Sequence, residues 1–416
     1  MTAVAARRSL ADWLGYIEQQ HPQAIALGLD RVARVFSGLK INFPCPVLTV
    51  GGTNGKGSTC ALLEGILGAA GYRTALYTSP HLVRYNERVR IAGREAGEAD
   101  LCDAFAAVEA ARGSVPLTYF EFGTLAALYL FSRANPDALI LEVGLGGRLD
   151  AVNVLDADCA VLTSVGIDHV EFLGATREEI GREKAGIFRP GRPAVVADPA
   201  PPASVLNSNA RLLLLGRDFG YQSQGTQWAY WGPAGKRSGL AHPALRGAVQ
   251  LRNASAAFAA LDVLRERLPV AMQDLRSALA ETVLPGRFQV LPGRPQVVLD
   301  VAHNPEAAAA LAANLGDSGF APETIAVFGM LKDKDIAGVV RAMAPRITRW
   351  HLATLQGPRG ADSLHLKKIL IEEKIQNPAF EHASVAEALA AAKSEAAEND
   401  KIVVFGSFVT VAGAYG

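Results

Sequence analysis

The sequence is short of the features that mark secreted, membrane-spanning or nucleic-acid-binding chains. It has four cysteines in 416 residues, Cys45, Cys60, Cys102 and Cys159. They lie far apart with no CxxC spacing, which argues against a disulfide framework or a zinc site and fits reduced thiols in the cytoplasm. Neither sign of charge is in excess, with 41 basic and 41 acidic residues, so no basic footprint points to nucleic acid or to an anionic membrane. No uninterrupted apolar run approaches the roughly 18 residues of a membrane-crossing helix. The opening stretch MTAVAARRSLADWLGYIEQQ carries two arginines but lacks the apolar core of a secretion signal. A Ser-His-Asp or catalytic-cysteine signature is missing too, so no covalent enzyme nucleophile is expected. These absences make the cytoplasm the default and leave small molecules as the expected partners; a monomer is the expectation, though no feature of the sequence carries it.

At roughly 150 residues per domain the length predicts two or three domains. Short continuous apolar runs, VLTV (47–50), TALYTS (74–79), ALILEV (138–143), CAVLTSV (159–165) and PAVVA (193–197), alternate with helical patterns. Such runs predict parallel strands buried on both faces. Residues 217–247 break the rhythm with aromatics among polar and turn residues, as in small antiparallel hairpins, and a helical stretch follows at 250–280. LPGRFQVLPGRP (284–295) concentrates Pro, Gly and Arg and serves as the expected boundary and hinge. Beyond it, QVVLDVA, TIAVFGM, RWHLATL and KIVVFGS alternate with helices. The expectation is α/β throughout: a P-loop ATPase-like parallel-sheet domain over 1–286 and a smaller Rossmann-like α/β domain over 287–416.

The loop GGTNGKGSTC sits between a buried strand and a helix, where unpaired N–H groups and the helix dipole attract phosphate. Gly51, Gly52, Gly55 and Gly57 let the backbone approach closely, and Lys56 supplies a point charge. The loop departs twice from the pattern GxxxxGK[ST]: Val50 stands where the outer glycine belongs, and Gly57 replaces the hydroxyl that normally meets Mg²⁺. Ser58 is one step further on, two or three groups from elsewhere could complete a Mg²⁺ shell, and strand C-termini facing the loop are where to look for them. Ser79, Glu142 and the pair Asp168 and His169 end three separate apolar runs. Read alone, Ser79 fits a Ser-Pro turn equally well and His169 fits a hydrogen-bonded core histidine better. Glu142 is different, because a buried strand should not carry a charge without a partner.

GGTNGKGSTC, TSPHLVRYNERVRI, LTYFEFGTLAALYLF, LEVGLGGRLDAVN, IDHVEFLG, REKAGIFRPG, LPGRF, DVAHNP, GMLKDKD and GSFVTVA occur in this order. Together they resemble the folylpolyglutamate synthase/dihydrofolate synthase family, in its bifunctional bacterial type, which is similar in turn to the Mur ligases of peptidoglycan synthesis. The resemblance spans residues 10–412.

It implies ATP bound by Thr53, Asn54, Gly55, Lys56, Gly57 and Ser58, with Asn253, Arg287 and Asp300 holding it across the domain interface. It implies Mg²⁺ on Ser79, Glu142 and His169, a monovalent cation, and a carbamylated lysine at Lys184, which unmodified reads as a solvated helix charge. Catalytic roles fall on Lys56, Lys184 and His303, the last lining a glutamate cleft. A pteroate wall falls on Leu27, Gly28, Leu29 and Asp30, on Thr118, Tyr119, Phe120 and Glu121, and on Leu149, Asp150 and Ala151. Most aromatics of TYFEFGTLAALYLF would still be core. Val409 departs from the pattern, which has His or Tyr there.

The implied activity joins L-glutamate to dihydropteroate and then to folates such as tetrahydrofolate, through an acyl phosphate made with ATP. Polyglutamylation alone, a Mur-type amino-acid ligase and a nucleotide-binding regulatory protein are the alternatives.

Overall fold

Continuous apolarity at 47–50 and 138–141 marks strands covered on both faces, and every residue of Val47–Gly51 and Ala138–Glu142 is buried. The computed structural model describes residues 8–23 and 25–415, so part of the two-arginine N-terminus lies outside the described residues. Two compact units divide the chain. One comprises Met1–His242 with Arg252–Thr282, the other Pro243–Leu251 with Val283–Gly416.

The first unit is built on an eight-stranded sheet: β1 (Val47–Gly51), β2 (Thr74–Tyr77), β3 (Val89–Ile91), β4 (Arg94–Glu95), β5 (Ala138–Glu142), β6 (Cys159–Leu162), β7 (Pro193–Val196) and β8 (Arg211–Leu214). The spatial order is β4-β3-β2-β5-β1-β6-β7-β8. All pairs from β2 to β8 are parallel, and β3 and β4 close one edge antiparallel. The central strand β1 lies between β5 and β6, so loops leaving its C-terminus open at the point where the chain switches sides. The edge strands escaped the sequence reading because they are short and, at β4, exposed.

The expected hairpins form a three-stranded antiparallel sheet, β9 (Gly220–Gln224), β10 (Gln227–Gly232) and β11 (Gly235–Ala241). Its inner face is fixed by Trp228 stacked on Phe258 and by the Asp262 carboxylate, which accepts from Tyr230 Oη and Arg237 Nη2, each at 2.6 Å. The helical stretch 250–280 is two helices, Val249–Val263 and Met272–Glu281, because Pro269 interrupts it.

The second unit has β12 (Gln289–Leu291), β13 (Gln296–Asp300), β14 (Thr324–Phe328), β15 (Arg349–Ala353), β16 (Ala379–His382) and β17 (Lys401–Phe405), ordered β12-β13-β17-β14-β15-β16. Only β12 runs antiparallel to its neighbour. Phe328, Trp350 and Phe405 pack at the centre of its core.

Candidate active site

The loop after β1 is shaped by the strand beside it. Thr163 and Ser164 leave the β6 ladder and turn toward the loop: Thr163 Oγ1 donates to Asn54 O at 2.7 Å, and Asn54 N donates to Ser164 Oγ at 3.0 Å. Thr53 N donates to Ser164 O at 2.9 Å, and Thr53 Oγ1 bridges to Gly166. The expected strand 159–165 therefore ends early, at Leu162, because its last residues spend their polar groups on the loop.

Gly52 has φ +147°, and a Cβ there would overlap Thr163 Oγ1. Gly55 has φ +90°, with Asn253 Oδ1 only 2.6 Å from where a Cβ would sit, so the helix Val249–Val263 touches the loop directly. The helix Lys56–Ala69 starts at Gly55 with no side-chain cap, leaving its first turn to an anion. Lys56 Nζ is folded over the loop, donating to Gly52 O at 3.0 Å and Thr53 O at 3.2 Å.

Glu142 closes β5 level with Val50, the residue that precedes the loop's first glycine. Its carboxylate is buried and accepts from Thr78 Oγ1 and, at 3.2 Å, from Ser79 N. Ser79 lies beyond β2, which stops at Tyr77 rather than running to 79. Two of the three expected metal ligands are thus bonded together at adjacent strand ends. Among the described residues no Lys or Arg forms an ion pair with the buried Glu142 carboxylate, whose neighbours are two hydrogen-bond donors, a setting that suits a cation. His169 begins a short helix, Val170–Leu173, in the left-handed region at φ 52°, with Nε2 3.8 Å from Asp168 Oδ2.

Lys184 is not a solvated helix charge. It is buried on Arg177–Ala185, and burial first, then the charge of Lys56, brings its amine down to about 7, against the pull of Asp168 and Asp150. The Asp150 carboxyl, raised to about 6 by burial, accepts from Leu145 N at 2.8 Å and Val152 N at 3.0 Å. Asp150 therefore shapes the turn 145–152 as well as facing the two lysines.

The three segments expected to form the pteroate wall converge. Helices Asp30–Leu39 and Tyr119–Ala134 pack on each other and on the 3₁₀ turn Ala151–Val154. Glu121 is committed within the protein. It caps its own helix through Thr118 N at 2.8 Å and pairs with Arg31 at 2.7 Å. Since Arg31 also donates to Ala26 O at 2.7 Å, this pair holds 27–30 against Thr118 and Tyr119. Tyr119 and Phe120 are half-buried, whereas Phe122 and Phe131 are core.

In the second unit Asp300 ends β13 and accepts from Phe288 N at 2.8 Å and Ala302 N at 2.9 Å. Packing around it raises its carboxyl, opposed by Arg287. Arg287 lies over the Phe408 ring at 5.1 Å, and the His303 ring is 6.2 Å from the same phenyl. These three expected residues therefore share one corner of that unit, beside the half-exposed Val409.

Sequence reasoning missed Thr163, Ser164, Asn253's contact with the loop itself, Thr78 and Arg31. Only the polar pair TS ending an apolar strand offered a signal for any of them.

The chain matches two family models in order, the Mur ligase middle domain over residues 50–261 and the Mur ligase glutamate ligase domain over 286–408. The dihydrofolate synthase/folylpolyglutamate synthase of Escherichia coli is 46% identical over 408 residues, 97% of this chain and 94% of that one. The structure of Escherichia coli FolC in complex with DHPP and ADP superimposes with TM-score 0.92 at 45% identity, covering 98% and 97% of the two chains. A bifunctional folylpolyglutamate synthase/dihydrofolate synthase with Mn, AMPPNP and L-glutamate bound gives TM-score 0.90 at 44% identity over 98% and 97%. Identity of this order over nearly the whole of both chains makes this chain a member of the dihydrofolate synthase/folylpolyglutamate synthase family, ligases of the Mur type.

Proposed function

We propose that the chain joins L-glutamate to dihydropteroate and, in a second activity, to folylglutamates, using ATP to activate the carboxylate. The observation that carries this reading is the buried Glu142, without a Lys or Arg partner among the described residues and bonded to Ser79 beside a phosphate loop that lacks its own metal-binding hydroxyl. A carboxylate does not condense with an amine in water, because oxide is a poor leaving group. Transfer of the γ-phosphoryl group of ATP makes an acyl phosphate, and the amine of glutamate then displaces phosphate. In such a reaction the protein supplies positioning and charge neutralisation.

The uncapped helix start at Gly55 and the folded-over Lys56 suit the phosphates, with Thr53, Asn54, Gly57 and Ser58 as the rest of the cradle and Asn253 against it. Ser79, Glu142 and His169 would hold Mg²⁺. Bound there, Mg²⁺ would neutralise phosphate oxygens and fix their orientation. Leu27–Asp30, Thr118–Phe120 and Leu149–Ala151 would form the wall for the flat heterocycle, with Glu121 bracing it through Arg31. Arg287 and Asp300 are assigned to the nucleotide and His303 to glutamate by the family resemblance.

The test is release of ADP and phosphate that requires both glutamate and either dihydropteroate or tetrahydrofolate. Turnover indifferent to these substrates would overturn the reading.

Lys184 supports a further part of this proposal. An amine buried among Lys56, Asp150 and Asp168, and already biased toward its neutral form, is the nucleophilic state that captures CO₂. A carbamate there would exchange a costly buried cation for a metal-binding anion. The expected result is an intact mass greater by one CO₂ in bicarbonate buffer at mild pH, lost in the Lys184→Met variant. An unmodified wild-type mass and full activity after CO₂ removal would refute it.

A further inference from the structure

Arg88 is a buried arginine that lacks an anion. It is only 9% exposed, yet among the described residues no Asp or Glu pairs with its guanidinium. Its Nε donates at 2.8 Å to His81 Nδ1, and a histidine ring supplies no negative charge to compensate it. Aromatic faces stand in for the anion: the guanidinium carbon lies 5.4 Å from the Tyr85 ring and 5.6 Å from the Tyr119 ring. Such contacts are weak replacements for hydration, and an unpaired buried charge ordinarily costs more than a fold tolerates without a use.

A second observation points the same way. The Tyr85 hydroxyl is buried in this cluster with no hydrogen-bond partner, and the buried Tyr77 hydroxyl beside it lies near Thr124 and the Arg88 guanidinium. Both crowd the Cα of Gly123, where any side chain would collide with Tyr85 Oη and come within 3.3 Å of Tyr77 Oη. Two buried hydroxyls, that of Tyr85 without a partner, beside a guanidinium with no acidic partner make a donor set that a carboxylate would satisfy. His81, Tyr119 and Phe120 are only half-buried, so the cluster reaches the surface on that side.

Its position is informative. Arg88 O accepts from Thr78 N at 2.9 Å, and Thr78 carries the hydroxyl bonded to Glu142. On the other side Tyr119, over which the guanidinium lies, belongs to the proposed heterocycle wall. The cluster therefore adjoins both the proposed metal ligands and the proposed heterocycle wall.

Resting on the ligase function proposed above, we propose that Arg88, with the Tyr77 and Tyr85 hydroxyls, seats the carboxylate of a folylglutamate that does not react. The two substrate classes differ here. Dihydropteroate has a single carboxylate, which is consumed in the reaction. A folylglutamate presents the reacting carboxylate and a second one on the same residue, which must enter a low-dielectric site and needs a cation there. Guanidinium geometry suits a carboxylate bidentately. Arg88 is thus a specificity residue for the second activity and a bystander in the first.

The experiment compares wild type, Arg88→Met and Arg88→Lys on dihydropteroate, on tetrahydrofolate and on a tetrahydrofolate whose non-reacting carboxylate is an amide. ATP and glutamate are kept saturating, and melting temperature is measured alongside. Arg88→Met is expected to raise KM for tetrahydrofolate by at least about tenfold, the worth of one charged hydrogen-bonding group, while KM for dihydropteroate moves within about threefold. Arg88→Lys should recover part of the loss, and the amide should be insensitive to the substitution. Equal losses on dihydropteroate and tetrahydrofolate would overturn the proposal, because Arg88 would then serve the shared part of the substrate. No loss on either would overturn it as well. Should Arg88→Met fail to fold, wild type alone decides: an amide bound as well as the acid overturns the proposal. Wild type that turned over neither substrate would instead refute the function on which the proposal rests.

Discussion

Replacing Lys56 by Met is expected to lower kcat/KM for ATP by about three orders of magnitude without lowering the melting temperature. Lys56 is the first residue of the helix Lys56–Ala69, and its ammonium is already held over the loop by the carbonyls of Gly52 and Thr53 at 3.0 and 3.2 Å. A charge fixed in this way needs no reorganisation when phosphate oxygens become more negative during transfer, which is why a single preorganised donor is worth about 10²–10³ in rate elsewhere. A full positive charge on a transferring phosphoryl group should lie at or above the top of that range. Stability moves differently. Lys56 and the buried Lys184 repel each other, and that repulsion helps to depress the Lys184 amine to about 7. Met keeps most of the apolar stem and removes one of two like charges, so the folded state loses little. Steady-state kinetics with a parallel thermal melt decide the matter. An unchanged kcat/KM would remove Lys56 from the reaction, and a melting temperature lowered by many degrees would make it a structural residue.

Much of this site was legible because its signals are local. Four buried residues, a glycine-rich turn and a lysine lie within ten positions, and the parallel sheet follows from apolar runs that do not alternate. Glu142 was legible for a related reason, since a carboxylate ending such a run needs an explanation from burial alone. The parts that were not legible depend on partners remote in sequence. Asn54 and Ser164 are 110 residues apart, Arg31 and Glu121 90 apart, and Thr78 and Glu142 64 apart. Nothing in LTYFE shows that Glu121 already serves its own helix cap and Arg31. Lys184 misleads for another reason. REEIGREKA has the composition of a solvated helix, and only tertiary packing tells which of its charges is enclosed. Arg88 is hidden in the same way, because its interest lies in the carboxylate it lacks.

The second large effect concerns Glu142. Glu142→Gln is expected to fold, to melt at or above the wild-type temperature, and to lose at least about 100-fold in kcat. It should also need a higher Mg²⁺ concentration for half-maximal activity. The carboxylate is 4% exposed, and its neighbours are two donors, Thr78 Oγ1 and Ser79 N, with no cationic side chain paired to it. Burying an ion this way costs several kcal/mol even after relaxation, and two hydrogen bonds return only part of that. Glutamine is nearly isosteric, keeps an oxygen for one of these donors and carries no charge, so the ledger for folding favours the substitution. Function reverses the sign, because what destabilises the empty fold is the negative charge that a divalent cation would neutralise. Glu142→Asp separates charge from reach: it restores the anion on a shorter arm and should recover part of the activity while giving up the stability gained. The prediction thus joins two measurements that a purely structural glutamate would move together, since loss of a structural hydrogen bond lowers melting temperature and activity alike. A Gln variant that melts lower and keeps its metal dependence would place Glu142 in the framework of β5 and take the metal away from it.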